Sequence, residues 1–314
     1  MNSSFIAYLI LNSLLVIALS PLYMSWIKKV KAFCQGRYGP PLFQAYFNIF
    51  KLMKKEVVYS SASSAITRIT PYINIAVIMA ASICVPLIYI PSTNIGGNII
   101  LFLYLLALAK FFTALLGLDA GSTFGGMGSS REMTLSAVFE PVIIVVFAAL
   151  AFVFKTLDID RMFAAASGSG MIDLDPMVIL ISLSLFIIII VETSRVPVDN
   201  PETHLELTMV HEAMILEQSG RNLALIEMSH AIKQLLLIAI LSNILFPIGL
   251  TSSLVPSLLA VGLAAFILKV FFVATLVGLF ESNLAKMRFF MLPSLFMTAF
   301  FFSFLTILFE VFVK

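Results

Sequence analysis

The segment Glu192–Gly220, ETSRVPVDNPETHLELTMVHEAMILEQSG, lies between two long apolar stretches and decides how the chain is organised. It gathers six carboxylates, two histidines and a single basic residue, Arg195, in a chain that is 61% hydrophobic and 11% charged. Carboxylates at or near a bilayer are costly and usually mark proton paths, ion paths or docking surfaces. The segment therefore predicts a functional loop between two membrane spans.

Long apolar runs place the chain in the membrane. The mean hydropathy is +1.06, and several runs exceed the roughly 18 residues needed to cross a hydrocarbon core. We predict an all-α integral membrane protein with about eight transmembrane helices, and a single polytopic membrane domain over 1–314. The predicted spans are 5–27, 69–90, 98–118, 134–154, 176–192, 223–248, 255–280 and 290–312.

The distribution of basic residues predicts the orientation. Thirteen of the 19 Lys and Arg residues fall in the loops after the first, third, fifth and seventh spans. Positive residues stay on the cytoplasmic side, so we expect both termini on the outer side. The predicted cytoplasmic loops are about 28–68, 119–133, 193–222 and 281–289.

Cofactor chemistry is not indicated for this chain. Cys34 lies in a loop and Cys84 in a predicted span, at depths too different for a disulfide. Two thiols alone cannot hold an iron–sulfur cluster. The sequence has no Cys/His metal spacing, no phosphate-binding glycine loop and no catalytic triad. We therefore expect no cofactor bound by the chain and no nucleic-acid partner.

Two further predicted cytoplasmic segments are distinctive, one amphipathic and one rich in glycine. After Gly39-Pro40-Pro41, apolar residues recur at helical spacing up to Met53, which predicts an amphipathic helix at the membrane interface. Its lysines are a positive anchor or a docking floor for a soluble partner. In 119–140, four glycines predict an irregular close-approach loop, and Ser129 or Ser130 could cap the fourth span.

Charged residues inside the spans need partners. Glu140 lies two turns inside the fourth span and is either a functional carboxylate or a hydrogen-bonded structural acid. We expect the other in-span charges to face the bundle interior, paired or titrating; they are Lys110, Glu192, Glu227, Lys233 and Lys269.

Within the acidic loop, the residue pattern predicts a helix from Thr203 to about Gln218. Its carboxylates would share one helix face, raise one another's pKa values and pass protons. The alternative is a solvated acidic cap. The three histidines are more typical of hydrogen-bonded or exposed side chains than of metal ligands; they are His204, His211 and His230.

Three motifs together resemble a known family. RYGP…Q…KL…KE, GSSRE…E and ETSRVPVDNPE…ELT…EQSG, in this order, resemble the membrane anchor subunit of respiratory complex I. The long form DNPETHLELTMVHEAMILE and the wording GLDAGSTFGGMGSSREMT are similar to the version found in group 4 membrane-bound [NiFe] hydrogenases, including formate hydrogenlyase and hydrogenase-4.

The resemblance implies partners and residue roles. The chain would anchor hydrogenase large and small subunits and ferredoxin-like iron–sulfur subunits beside antiporter-like membrane subunits, in a prokaryotic inner membrane. The [NiFe] centre and iron–sulfur clusters would belong to those partners. The predicted proton path comprises Glu140, Glu192, Glu206, Glu212, Glu217, Glu227 and Lys233. The residues predicted to dock the module or set pKa values are Arg37, Arg131, Arg195, Asp199 and Glu202.

Two other functions compete with the hydrogenase anchor. One is a complex I subunit that forms part of a quinone site. The longer acidic loop favours the hydrogenase anchor over this function. The other is a stand-alone ion transporter, which broken inverted repeats would favour; the sequence shows none.

Overall fold

The computed structural model describes residues 3–91, 97–168, 175–200 and 209–313. Over these ranges the chain is helical. The helices are α1 (Ser3–Cys34), α2 (Gln44–Met53), α3 (Ala65–Ile83), α4 (Ile99–Asp119), α5 (Thr123–Phe154), α6 (Ile159–Gly168), α7 (Pro176–Glu192), α8 (His211–Ile215), α9 (Gly220–Leu245), α10 (Pro256–Asn283) and α11 (Leu292–Val313).

Seven of these helices are long and apolar enough to cross a membrane. They are α1, α3, α4, α5, α9, α10 and the helical stretch that ends in α11. The eighth predicted span is α7, which is apolar but has 17 residues. At 1.5 Å per residue it is about 26 Å long, slightly short of a hydrocarbon core of about 30 Å. The prediction of a multi-pass, all-α membrane protein is confirmed.

The bundle is built around α9. This helix contacts α1, α2, α3, α7 and α10, and most of its residues from Ala231 to Ile244 are buried. Around it, α4 packs on α3 and α5, while α11 packs on α5 and α7. A helix that is apolar on all sides belongs in the centre of a membrane bundle. The polar side chains of α9 are therefore forced to find partners inside the protein.

The connections between helices fall at two ends of the bundle. One end, here called the basic side, holds the segments that follow α1, α4, α7 and α10. On this side Val58 N donates to Ser219 Oγ (2.9 Å) and Met287 N donates to the carbonyl of Pro197 (2.9 Å). These contacts join segments far apart in sequence into one surface.

The opposite side is closed by a buried polar network. Asn12 Nδ2 donates to the carbonyls of Ser82 (2.7 Å) and Val85 (3.1 Å). Lys269 Nζ donates to Asn243 Oδ1 (2.8 Å) and to the carbonyls of Phe246 (2.9 Å) and Ile248 (2.8 Å). Lys269 thus satisfies carbonyls left without helical partners where α9 ends.

Helix α2 confirms the predicted amphipathic segment. None of its residues is buried within the chain, and Phe47 and Phe50 are 62% and 65% exposed. It packs against α1 and α9, and Lys51 lies in its last turn. Large exposed aromatic side chains beside lysines are typical of a helix that lies in the membrane interface.

The start of α5 corrects one prediction. The helix begins at Thr123 with Ser122 as its N-cap, and neither Ser129 nor Ser130 is the cap. Three of the four glycines expected in an irregular loop therefore lie inside a helix, while Gly121, with φ +66°, precedes it. The predicted close approach is present. A Cβ on Gly125 would meet the Gly117 carbonyl oxygen at 2.4 Å, and one on Gly128 would meet the Val210 carbonyl oxygen at 2.9 Å. Glycine therefore lets α4, α5 and the acidic loop pack backbone to backbone.

The acidic loop is less helical than predicted. Helix α8 covers His211–Ile215, and a turn follows at Leu216 and Glu217 instead of further helix. The rest of the predicted helix, 201–208, lies outside the described residues. Gly220 has φ +52°, and a Cβ there would meet the Glu56 carbonyl oxygen at 2.3 Å. Tight packing against the 55–56 backbone thus ends the loop where α9 begins.

The two neighbouring glycines of α5 give a matched test of this packing. We expect Gly125→Ala to destabilise the protein by about 1–3 kcal/mol, because the added methyl group overlaps a backbone oxygen that cannot move alone. Gly126→Ala should be neutral or stabilising by up to about 1 kcal/mol, because nothing lies within 4 Å of its Cβ position and alanine favours helix. Thermal unfolding of the detergent-purified variants measures both. Equal melting temperatures would contradict the close α4–α5 contact.

Candidate functional site

The centre of the candidate site is Glu192, the last residue of α7. Its carboxylate, 2% exposed, accepts hydrogen bonds from Lys110 Nζ of α4 (2.9 Å) and Lys233 Nζ of α9 (3.3 Å). Both lysine side chains are largely buried. Burying charge is costly unless it is paired and hydrogen-bonded. The cluster therefore pins three helices together, and it carries one excess positive charge when both lysines are protonated.

Cavities extend from this cluster in both directions. One, of about 40 Å³, lies toward the basic side and is lined by Lys110, Lys233 and Glu132. Another, of about 240 Å³, lies between α4 and α5 and is lined by Lys110, Glu192 and Glu140. A water molecule needs roughly 10–15 Å³ of such volume. Lys110 lines both cavities and therefore lies between the space that holds Glu132 and the space that holds Glu140.

Two histidines line the smaller cavity. The rings of His211 in α8 and His230 in α9 are 4.9 Å apart between centroids and inclined by 36°. Burial, followed by the nearby Lys233 ammonium, lowers the pKa of His211 to about 4. Its imidazole is therefore neutral at physiological pH. Neither histidine was assigned a role from the sequence.

A carboxyl group at the edge of the loop titrates near neutrality. Burial, followed by the charges of Glu227 and Asp199, raises the pKa of Glu212 to about 7, while Lys28 acts against the shift. This carboxyl group can therefore take up and release a proton near neutral pH. Glu212 and Glu227 were predicted to belong to the proton path, and here they lie near enough to interact.

A second buried ion pair lies beside the cluster. Arg195 donates to Glu281 Oε1 of α10 (3.1 Å) and to Gln234 Oε1 of α9 (2.9 Å). The acidic-path residues were its expected partners, whereas Glu281 had no predicted role. A carboxylate near the end of an apolar helix is the same signal that marks Glu192, and it could have revealed Glu281.

Asp199 has a different position from the one predicted. It was expected to face a docked module, but it is only 1% exposed. Its carboxylate accepts hydrogen bonds from the backbone N–H groups of Val210 (2.9 Å) and His211 (3.2 Å) and from Lys286 Nζ (2.7 Å). Asp199 therefore closes the acidic loop on itself and places His211 over the cavity.

Arg131 holds the same loop from α5. Its Nη1 donates to the carbonyl of Met209 (3.1 Å), a backbone partner rather than the expected carboxylate. Glu132, next to it, precedes the predicted span 134–154; because α5 begins at Thr123, it lies well inside the helix and lines the smaller cavity.

The remaining predicted residues lie elsewhere. Glu217 is exposed in the turn after α8, and Arg37 is exposed after α1. Glu202, His204 and Glu206 lie outside the described residues. Within the described ranges, no group of three or more His, Cys, Asp or Glu side chains could hold a metal ion. Cys34 is exposed and Cys84 is buried.

Comparison with known proteins identifies the family. The family model described as NADH dehydrogenase matches residues 6–311. Hydrogenase-4 component C of Escherichia coli K12 is 30% identical, over 90% of this chain and 89% of that protein. Formate hydrogenlyase subunit 4 of the same organism is 28% identical, over 96% of this chain and 97% of that protein.

The fold is shared with a solved archaeal structure. The chain superposes on one chain of the membrane-bound sulfane sulfur reductase, an archaeal respiratory membrane complex, with a TM-score of 0.78 and 18% identity. The match covers 95% of this chain and 99% of that one. With the same fold and a family match over nearly its whole length, the chain belongs to the NADH dehydrogenase family, the subunit 1/H type of complex I and its hydrogenase relatives.

Proposed function

We propose that this chain is the membrane anchor subunit of a group 4 energy-converting [NiFe] hydrogenase complex of the formate hydrogenlyase kind. It docks the cytoplasmic redox module and relays protons, or the electrostatic change they cause, to the membrane arm. The observation that carries the proposal is the Lys110–Glu192–Lys233 cluster with a cavity on either side. Both E. coli relatives are hydrogenase components by name, which favours this function over a quinone-site subunit.

The cluster offers a physical basis for coupling. Lys110 and Lys233 share one buried carboxylate, so loss of a proton from either ammonium leaves a neutral ion pair in place of an excess charge. Interactions between charges are strong where water is excluded. Proton occupancy at Glu132 on one side is therefore felt at Glu140 on the other, through Lys110, which lines both cavities.

Glu140 is the natural exit of such a relay. It lines the larger cavity beside Glu192 and Tyr104, and Tyr104 is 72% exposed on the outer surface of this chain. A carboxyl group on that side can pass a proton to a neighbouring antiporter-like membrane subunit. In the isolated chain this part of the cavity would face lipid, which makes a protein partner there the favourable arrangement.

The basic side carries a surface suited to docking. Phe33 is 83% exposed and Tyr38 is fully exposed, with exposed Arg37 next to Tyr38. Large solvent-facing aromatic side chains beside arginine are the composition of energetically dominant interface positions. The proposed occupants are the hydrogenase large and small subunits and the ferredoxin-like iron–sulfur subunits, which would carry the [NiFe] centre and the clusters.

The relay predicts that Glu140→Gln uncouples the complex. The amide keeps the shape of the side chain but cannot hold or release a proton at neutral pH, so redox-driven proton uptake into inverted vesicles should fall by about tenfold or more. Dye-linked hydrogenase activity should stay within about twofold, because the assembled redox module is untouched. Glu56→Gln, which removes an exposed carboxylate on the basic side, is the matched control. Equal loss of both activities would count against a proton-relay role.

Changes in the proposed docking surface should release the soluble module from the membrane. Tyr38→Ala combined with Arg37→Ala should weaken binding of the soluble module by roughly tenfold or more, because residues of these types dominate interfaces. The measurement is hydrogenase activity kept on membranes after a salt wash. Arg161→Ala, exposed on the opposite side, should change nothing. Unchanged retention in the double variant would place the docking surface elsewhere.

A further inference from the structure

Helix α9 carries three titratable residues at intervals of three. Glu227, His230 and Lys233 are successive surface neighbours, each pair separated by roughly 4.5 Å along the axis. Lys233 belongs to the buried cluster, whereas Glu227 lies near Glu212 at the edge of the acidic loop. His230 therefore occupies the interval between the loop carboxylates and the cluster.

The acidic loop supplies the second imidazole. Asp199 accepts the His211 backbone N–H, and the two backbone contacts of Asp199 in this stretch fix the start of α8. The His230 ring is held by a hydrogen bond to the backbone of Thr193. With centroids 4.9 Å apart and planes inclined by 36°, the rings lie beside the same cavity of about 40 Å³. Contacts outside the pair thus hold the His230 ring and the backbone of His211.

Burial favours a neutral His211 ring, and the charges around the pair are of both signs. The groups that face the pair are Lys110 from α4, Glu132 from α5, Lys233 from α9, and Glu192, Arg195 and Asp199 from the end of α7 and the following loop. Three of these are cations close to the rings. A neutral imidazole has one N–H donor and one nitrogen acceptor. It can therefore accept a proton at one nitrogen and release another from the opposite one, which an imidazolium cannot.

We propose that His211 and His230 form the proton link between the Glu212–Glu227 carboxylates and the Lys110–Glu192–Lys233 cluster. A proton leaves a loop carboxyl group and joins the free nitrogen of one ring. The proton on the other nitrogen of that ring moves on, through the second ring or cavity water, to the Nζ of a cluster lysine that has already given its own proton onward and so becomes an ammonium again. One proton enters and one leaves, and both rings end neutral. The link deepens the proposed relay and rests on it.

The test compares four variants in the assembled complex. His211→Gln and His230→Gln should each lower redox-driven proton uptake into inverted vesicles by about tenfold or more, because a glutamine cannot pass a proton. Proton uptake in the double variant should be no lower than in the more impaired single variant, because the losses from two steps in series do not add. Ser229→Ala, which changes the same cavity without removing a titratable group, should behave as wild type. Dye-linked hydrogenase activity should be unchanged throughout.

Chemical rescue separates a relay from a packing role. His230→Ala should regain proton uptake when imidazole is added, whereas a residue needed only for packing would not respond in this way. If the glutamine variants fail to assemble on a blue-native gel, His211→Asn decides in their place: loss of uptake supports the link and full uptake overturns it.

The outcomes also distinguish the two proposals. Full uptake in both histidine variants together with loss in Glu140→Gln would overturn the histidine link and leave the relay standing. Full uptake in the histidine variants and in Glu140→Gln would overturn both.

Discussion

The structure depends on one buried carboxylate held between two ammonium groups. Glu192 closes α7 at a point where α4 and α9 each bring a lysine within hydrogen-bonding distance. Removing the carboxylate would leave two uncompensated ammonium groups in a region of low dielectric, which is strongly destabilising, whereas removing one lysine would leave a neutral ion pair. Lys110 and Glu192 also line the cavity that holds Glu140, so the groups that join the helices are the ones that border the open space.

A second layer of contacts brings the acidic loop to this cluster. Glycine at position 128 lets α5 approach the backbone of Val210, Arg131 binds the carbonyl of Met209, and Asp199 binds the first N–H groups of α8. All of these contacts are made with the loop backbone from Met209 to His211. The part of the loop that the structure describes after residue 208 is thus a wall of the site, held by α5 and by Asp199.

The parts of the structure that follow from local pattern could be predicted from the sequence. The spans and α2 depend on apolar periodicity, and Glu192 and Lys233 are recognisable as charges in apolar surroundings. The start of α5 could not be placed, because glycines that normally break helices are accepted here for tertiary reasons: they allow α4 to approach. Pairings such as Lys110 with Glu192 and Arg195 with Glu281 depend on which helices are neighbours, which one sequence does not state. The contact between His211 and His230 was missed for the same reason, since the two residues lie on different elements.

The Lys269 network gives the two ends of the bundle different electrical properties. Its ammonium is buried among amide and carbonyl oxygens near the end of α9, with Asn12 and Asn243 binding the adjoining backbone. An ammonium group with little water around it repels a hydrated proton, in the way that pores exclude cations. The proposed relay would then be closed to protons at that end and open at the other. A proton that entered the chain from the basic side could not cross to the opposite side along α9, so the chain alone would not leak protons across the membrane.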